Sequence, residues 1–108
     1  MEGLELISFK IISAVGMAKS SFIEAMQVAS QNKFDEAREK IKEGEEYFNN
    51  GHLAHCDLIQ QEASGKHVVP SILLTHAEDQ LMSAETIKVM ALEIIRLNER
   101  INALEKTE

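Results

Sequence analysis

The stretch IKVMALEIIRLNERINAL, residues 87–104, decides the fold. Ile87, Met90, Ile94, Leu97, Ile101 and Leu104 recur at alternating steps of three and four, the repeat by which one helix presents a seam to another. Carried backwards, the same register passes through Ser83, Gln80, His76 and Leu73, so the seam turns polar near its start. The other side of this segment, with Leu74, Ala77, Leu81, Ala84, Lys88, Ala91 and Ile95, is also mostly apolar. A helix apolar on two sides needs neighbours on two sides. The segment is expected to be helical from about residue 71 to 104, roughly 51 Å at 1.5 Å per residue. Pro70 stands where a helix can begin and Ser71 is expected among the first helical residues.

Two more helices are expected before it, at about 3–30 and 33–62. In the first, Leu4, Ile7, Ile11, Ala14, Val15, Ala18, Phe22, Ala25, Met26 and Ala29 form one stripe. Ser30-Gln31-Asn32 breaks the pattern, and Asn32 with Asp35 three residues on resembles a helix cap with an acid in the first turn. The second stripe runs Phe34, Ala37, Ile41, Gly44, Phe48, His52, His55, Ile59. Gly44 and Gly51 each weaken that helix by about 1 kcal/mol relative to alanine, so they point to close packing against a neighbour or else to loops at those points. Residues 62–70 form the one real connection. The whole chain, 1–108, is expected to be a single all-α domain: a three-helix antiparallel bundle. Three helices supply one internal core, which leaves the second stripe of the third helix uncovered. Self-association through that helix follows, although the stripe does not set the copy number.

Composition narrows the function. The 108 residues carry 11 Lys and Arg against 18 Asp and Glu, a net charge of −7. Phosphate backbones select the opposite balance, which disfavours nucleic acid as a partner. Five glycines and one proline are too few for a sandwich or barrel of many short strands. The single cysteine, Cys56, excludes an intrachain disulfide and fits a reducing compartment; it is expected to be a buried, inert thiol. The N-terminus shows no cationic stretch followed by an apolar run, and no apolar run approaches the roughly 20 residues that span a bilayer, so the chain is expected in the cytoplasm without membrane insertion.

The histidines are the candidates for chemistry. His67 lies in the connection and reads as a surface residue. His52 and His55, three apart, interrupt the apolar stripe of the second helix, and His76 and Asp79 are likewise three apart in the third. Antiparallel packing brings these polar spots towards each other. Three readings stay open: a hydrogen-bonded network that fixes register, an intrachain metal site from His52, His55, His76 and Asp79, or His76 as a nucleophile. A neutral imidazole is a good nucleophile near pH 7 and forms covalent intermediates. In phosphoryl transfer the protein must mainly hold that nitrogen in line and neutralise charge on the equatorial oxygens.

A resemblance favours the third. Residues 72–82, Ile-Leu-Leu-Thr-His-Ala-Glu-Asp-Gln-Leu-Met, resemble the signature of the lactose/cellobiose (N,N'-diacetylchitobiose) class of IIA components of the phosphoenolpyruvate-dependent sugar phosphotransferase system. That signature is an aliphatic run followed by His-Ala-x-Asp-His-Leu-Met. Residues 11–20, IISAVGMAKS, are similar to the family's first helix, and residues 50–59, NGHLAHCDLI, to its second. The resemblance implies a cytoplasmic phosphocarrier. His76 accepts a phosphoryl group from HPr and passes it to a cysteine of the cognate IIB component, while the IIC permease imports a disaccharide of cellobiose, chitobiose or lactose type. It also implies a homotrimer packed through the third helices, with Asp79 of three copies holding one Mg²⁺ on the axis. His52, His55 and Gln80 become candidates for active-site support. The chain departs from the signature in Gln80, where the family has a second histidine, and in His55-Cys56, where Gln-Thr is usual. Those departures also suit a second reading, a trimeric interaction or regulatory paralogue that has lost transfer.

Overall fold

The computed structural model describes residues 3–107 as three helices, α1 (Gly3–Ala29), α2 (Phe34–Ala63) and α3 (Ile72–Lys106), with no strand among them. The bundle is 63 × 24 × 19 Å. Cross-links between α2 and α3 run in opposite sequence directions: His55 to Glu78, Glu45 to Lys88, Arg38 to Glu99. That is the antiparallel register expected from the sequence.

Both interhelical turns close in the same way. Asn32 has φ 64°, Lys33 N–H donates to the Val28 carbonyl and Asn32 N–H to that of Ala29. Gly65 has φ 92°, Lys66 N–H donates to Gln61 and Gly65 N–H to Glu62. Each is a Schellman turn, whose reversing residue must enter the left-handed region, where glycine and asparagine are tolerated. Asn32 therefore ends α1 and does not cap α2. The residue at the α2 cap position, Lys33, supplies no side-chain bond. Ser71 is likewise displaced from its expected place inside α3: it is the N-cap, its hydroxyl accepting from Leu74 N–H at 3.0 Å.

The core has two ends. Near the α2–α3 connection, Ile11, Val15, Leu58, Leu74, Ala77, Leu81 and Ala84 pack together. Towards the other end, Ala18, Phe22, Ala25, Ile41, Ala91 and Ile95 do so. The α3 residues in both clusters belong to its Leu74–Ile95 side, so that side is the intrachain one. The heptad seam is left largely open, with Met90 53%, Leu97 51%, Ile101 51% and Leu104 66% exposed.

The two α2 glycines lie where α1 approaches. A Cβ on Gly44 would sit 2.4 Å from Phe22 Cε1, and one on Gly51 2.8 Å from Val15 Cγ1. The close packing expected from their presence is what the structure shows. Helix α1 also contains an 18-residue window of mean hydropathy 1.4, enough by length and composition to cross a membrane, contrary to the sequence expectation. About a third of that window is buried, with Ile11, Val15, Ala18 and Phe22 in the core, while Leu6, Phe9, Met17 and Ile23 stay exposed. On the surface, Lys40 donates to Glu24 of α1 at 2.9 Å. The bond to Glu24, its charge and that of Glu43 hold the Lys40 ammonium above its ordinary range.

Ser8 is fully buried on α1 with no hydrogen-bond partner for its hydroxyl among the described residues. Leaving such a group unsatisfied costs about 1–3 kcal/mol. Ser8→Ala is therefore expected to raise stability by about 1 kcal/mol, read as a higher urea midpoint at unchanged slope. A lower midpoint means the hydroxyl has a partner after all.

Candidate functional site

His76 stands on the first turns of α3. Ser71 fixes where that helix begins: its side chain takes Leu74 N–H and its carbonyl takes Thr75 N–H. The cap thus occupies the later amides of the first turn, and the free N–H groups left at the helix start are those before Leu74. They precede His76 by a turn, so the imidazole does not sit on the anion-binding end of the helix. It is exposed, next to the fully buried Ala77 that anchors its turn to the core.

The neighbouring polar residues point to different sides. Successive residues on a helix are about 100° apart. Gln80, one turn beyond His76, shares its side. Gln80 is half-buried, and its Oε1 accepts from Lys19 Nζ of α1 at 2.6 Å. Asp79 is exposed, three residues from His76 and seven from Thr86, next to the Ser83–Met90–Leu97 row. Glu78 turns the other way, towards α2, where its carboxylate lies 2.8 Å from His55 Nε2.

The expected meeting of the α2 and α3 polar spots therefore occurs, but with Glu78 in place of Asp79 and without His76. His55 and Glu78 belong to a cleft of about 350 Å³ lined also by Leu58, Glu62, Val68 and Leu74. His52 is exposed and stacks on Phe48, ring centroids 5.9 Å apart and 15° from parallel. Cys56 is only half-buried, with Sγ 3.6 Å from His52 Nε2, so it is neither buried nor isolated as expected. Helical spacing of four puts those two on one face. A groove of about 790 Å³ lies between α1 and α2, lined by Leu6, Phe9, Met17 and Leu53 among others, and includes none of the histidines.

No three His, Cys, Asp or Glu side chains converge on a common point among the described residues. A single chain thus offers no intrachain metal site from His52, His55, His76 and Asp79. Asp79 is one exposed oxygen donor on the open face of α3, a type of ligand that suits a hard cation only when several copies converge.

Two residues of this region, Lys19 and Glu78, were not among the sequence candidates. Glu78 sits inside the quoted motif, between His76 and Asp79, and Lys19 inside the α1 stretch. Each was readable as a lone charge beside an apolar stripe, but its partner depends on helix rotation.

A family model described as the lactose/cellobiose-specific IIA subunit of the PTS system matches residues 6–99. The chain is 41% identical over 100 residues to the lichenan-specific phosphotransferase enzyme IIA component of Bacillus subtilis, covering 93% of this chain and 91% of that one. It is 33% identical over 94 residues to the lactose-specific EIIA component of Staphylococcus epidermidis, covering 87% and 90%. The crystal structure of the cellobiose-specific enzyme IIA from Bacillus anthracis superposes with a TM-score of 0.92 at 41% identity, covering 95% of this chain and 94% of that one.

Proposed function

This chain belongs to the lactose/cellobiose-specific IIA family of the phosphotransferase system, and from that premise we propose that it is a cytoplasmic phosphocarrier that takes a phosphoryl group from phospho-HPr on His76 and gives it to a cysteine of a IIB component, in the uptake of a disaccharide through a IIC permease. The observation that carries the reading is the placement of His76: exposed, at the start of the longest helix, inside the matched stretch and free of the His55–Glu78 pair.

The chemistry needs little from the protein. The lone pair of a neutral His76 ring nitrogen attacks phosphorus as the P–N bond to the donor imidazole breaks. That bond's electron pair returns to the donor ring. Each ring keeps its own N–H, so no net proton leaves the pair. In the second step a thiolate of IIB attacks the same phosphorus and His76 is regenerated. An exposed imidazole suits both steps, because two proteins must reach it in turn. Catalysis rests on in-line positioning and on neutralising the equatorial oxygens. Gln80, on His76's side of α3, is the neighbour placed to support this. Within the described residues His55 is engaged by Glu78 and His52 by Cys56, and neither is hydrogen-bonded to His76.

Assembly follows from the open seam. Met90, Leu97, Ile101 and Leu104 form an exposed apolar row that three copies of α3 cover mutually. On that reading Asp79 of each copy approaches the axis, where the three carboxylates would hold one Mg²⁺, whose charge would offset their repulsion. Asp79→Leu is expected to keep or raise the melting temperature of the trimer, since apolar groups then replace three buried charges. A marked drop, measured with copy number by light scattering, counts against the axial position.

The function is tested by incubating the chain with phosphoenolpyruvate, enzyme I and HPr and locating the added mass. One acid-labile phosphate on His76 is expected. A trimer that stays unlabelled supports the non-catalytic paralogue instead, and a phosphate on another side chain overturns the assignment.

A further inference from the structure

We infer that Lys19 is the cation that binds the oxygens of the phosphoryl group carried on His76, held in place by Gln80. The inference rests on the carrier function proposed above. Phosphorylation adds about −1.5 to −2 charges at neutral pH. It does so in a chain of net charge −7, at a residue followed within three positions by Glu78 and Asp79. Such a group needs a positive neighbour, and in helix-bundle surroundings a side chain from another helix must provide it.

Lys19 is singled out by what it touches. Arg38, Lys40, Lys88 and Arg96 are each paired with a carboxylate, and of the remaining Lys and Arg among the described residues Lys19 is the one hydrogen-bonded to the α3 face that carries His76. Lys19 is half-buried and meets no carboxylate within ion-pair distance among the described residues. Its ammonium is bonded at 2.6 Å to the neutral Oε1 of Gln80. A half-buried ammonium that is not neutralised keeps its full charge for an incoming anion, and partial exclusion of water strengthens that attraction. Gln80 is one turn from His76 on the same side of α3, with the two Cβ atoms about 5–6 Å apart by helix geometry. A lysine on its flexible four-carbon stem has the reach to move from the amide oxygen to a phosphoryl oxygen one turn away. Gln80 cannot carry charge itself, but it parks the ammonium beside the acceptor nitrogen before the donor arrives. Lys19 thus contacts the transferring group, and Gln80 acts as a positioning residue.

Lys19→Gln separates this role from a structural one, because it keeps a donor for Gln80 and removes only the charge. In single-turnover transfer from phospho-HPr, Lys19→Gln is expected to slow labelling of His76 by on the order of 10–100-fold at an unchanged melting temperature. Lys19→Arg is expected to restore most of the rate, and Gln80→Leu to slow it by a smaller factor. Normal transfer by a folded Lys19→Gln overturns this inference and leaves the carrier function intact. If the wild-type chain is not labelled, both fall.

Discussion

His76→Ala is expected to abolish phosphate incorporation completely while leaving the fold unchanged. The side chain is exposed and carries none of the hydrogen bonds that tie α3 to its neighbours, which pass instead through Glu78, Gln80 and Glu99. Surface replacements away from such features usually change stability by less than about 0.5 kcal/mol, and alanine is the better helix former. Loss of labelling therefore reports lost chemistry. The measurement pairs phosphate incorporation, read by mass spectrometry after incubation with the upstream donors, with thermal unfolding of the same sample. Labelling that survives in His76→Ala removes the acceptor role. A cooperative unfolding transition lost in the variant means that the imidazole also holds the bundle together, against its exposure.

Phe22→Ala is expected to produce the largest loss of stability, about 3–5 kcal/mol. Phe22 is the largest of the fully buried side chains, and it fills the space opposite Gly44. Gly44→Ala tests the same contact from the other side and has a counter-intuitive sign. On helix propensity alone the change gains about 1 kcal/mol. A methyl group there, however, would start 2.4 Å from Phe22 Cε1, and the ring has no solvent to retreat into. Overpacking of a filled core costs about 1–3 kcal/mol, so Gly44→Ala is expected to destabilise on balance. The double variant Phe22→Leu/Gly44→Ala is expected to be less damaged than the two single changes added together, since the smaller side chain admits the methyl. Urea midpoints at one fixed protomer concentration check this, because an assembled state makes stability depend on concentration. A stabilising Gly44→Ala overturns the close-approach reading of α2.

Much of this architecture was legible before the structure. The steps of three and four marked all three helices to within a few residues, and two glycines inside a helical stripe announced a close neighbour. What the sequence misplaced were caps. Asn32 and Ser71 are both good capping residues, but Asn32 also tolerates positive φ and was used for that, and the chain entering α3 placed Ser71 one residue outside the helix. The site was legible in part. The motif singles out His76 as the proposed acceptor, and the structure adds that its side chain is exposed. Its neighbours were not identifiable, because α3 is apolar on two sides and periodicity leaves its rotation undetermined by the 100° that separates Glu78 from Asp79. That rotation decides that His55 pairs with Glu78 and that Lys19 reaches Gln80. The apolar stripe of α1 marks which side it buries, but not which polar residue of α3 lies opposite Lys19.

Helix α1 packs closely along both of the others, whereas α2 and α3 approach each other less closely. The order of assembly follows from that layout. The first reversal spans only residues 30–33, so α1 and α2 zip into a hairpin at small entropic cost. That hairpin already seats Phe22 over Gly44 and Val15 over Gly51. The third helix then docks onto that hairpin, and Gln80 meets Lys19 only in this step. A newly made chain thus gains its rigid scaffold before the polar face around Gln80 is complete.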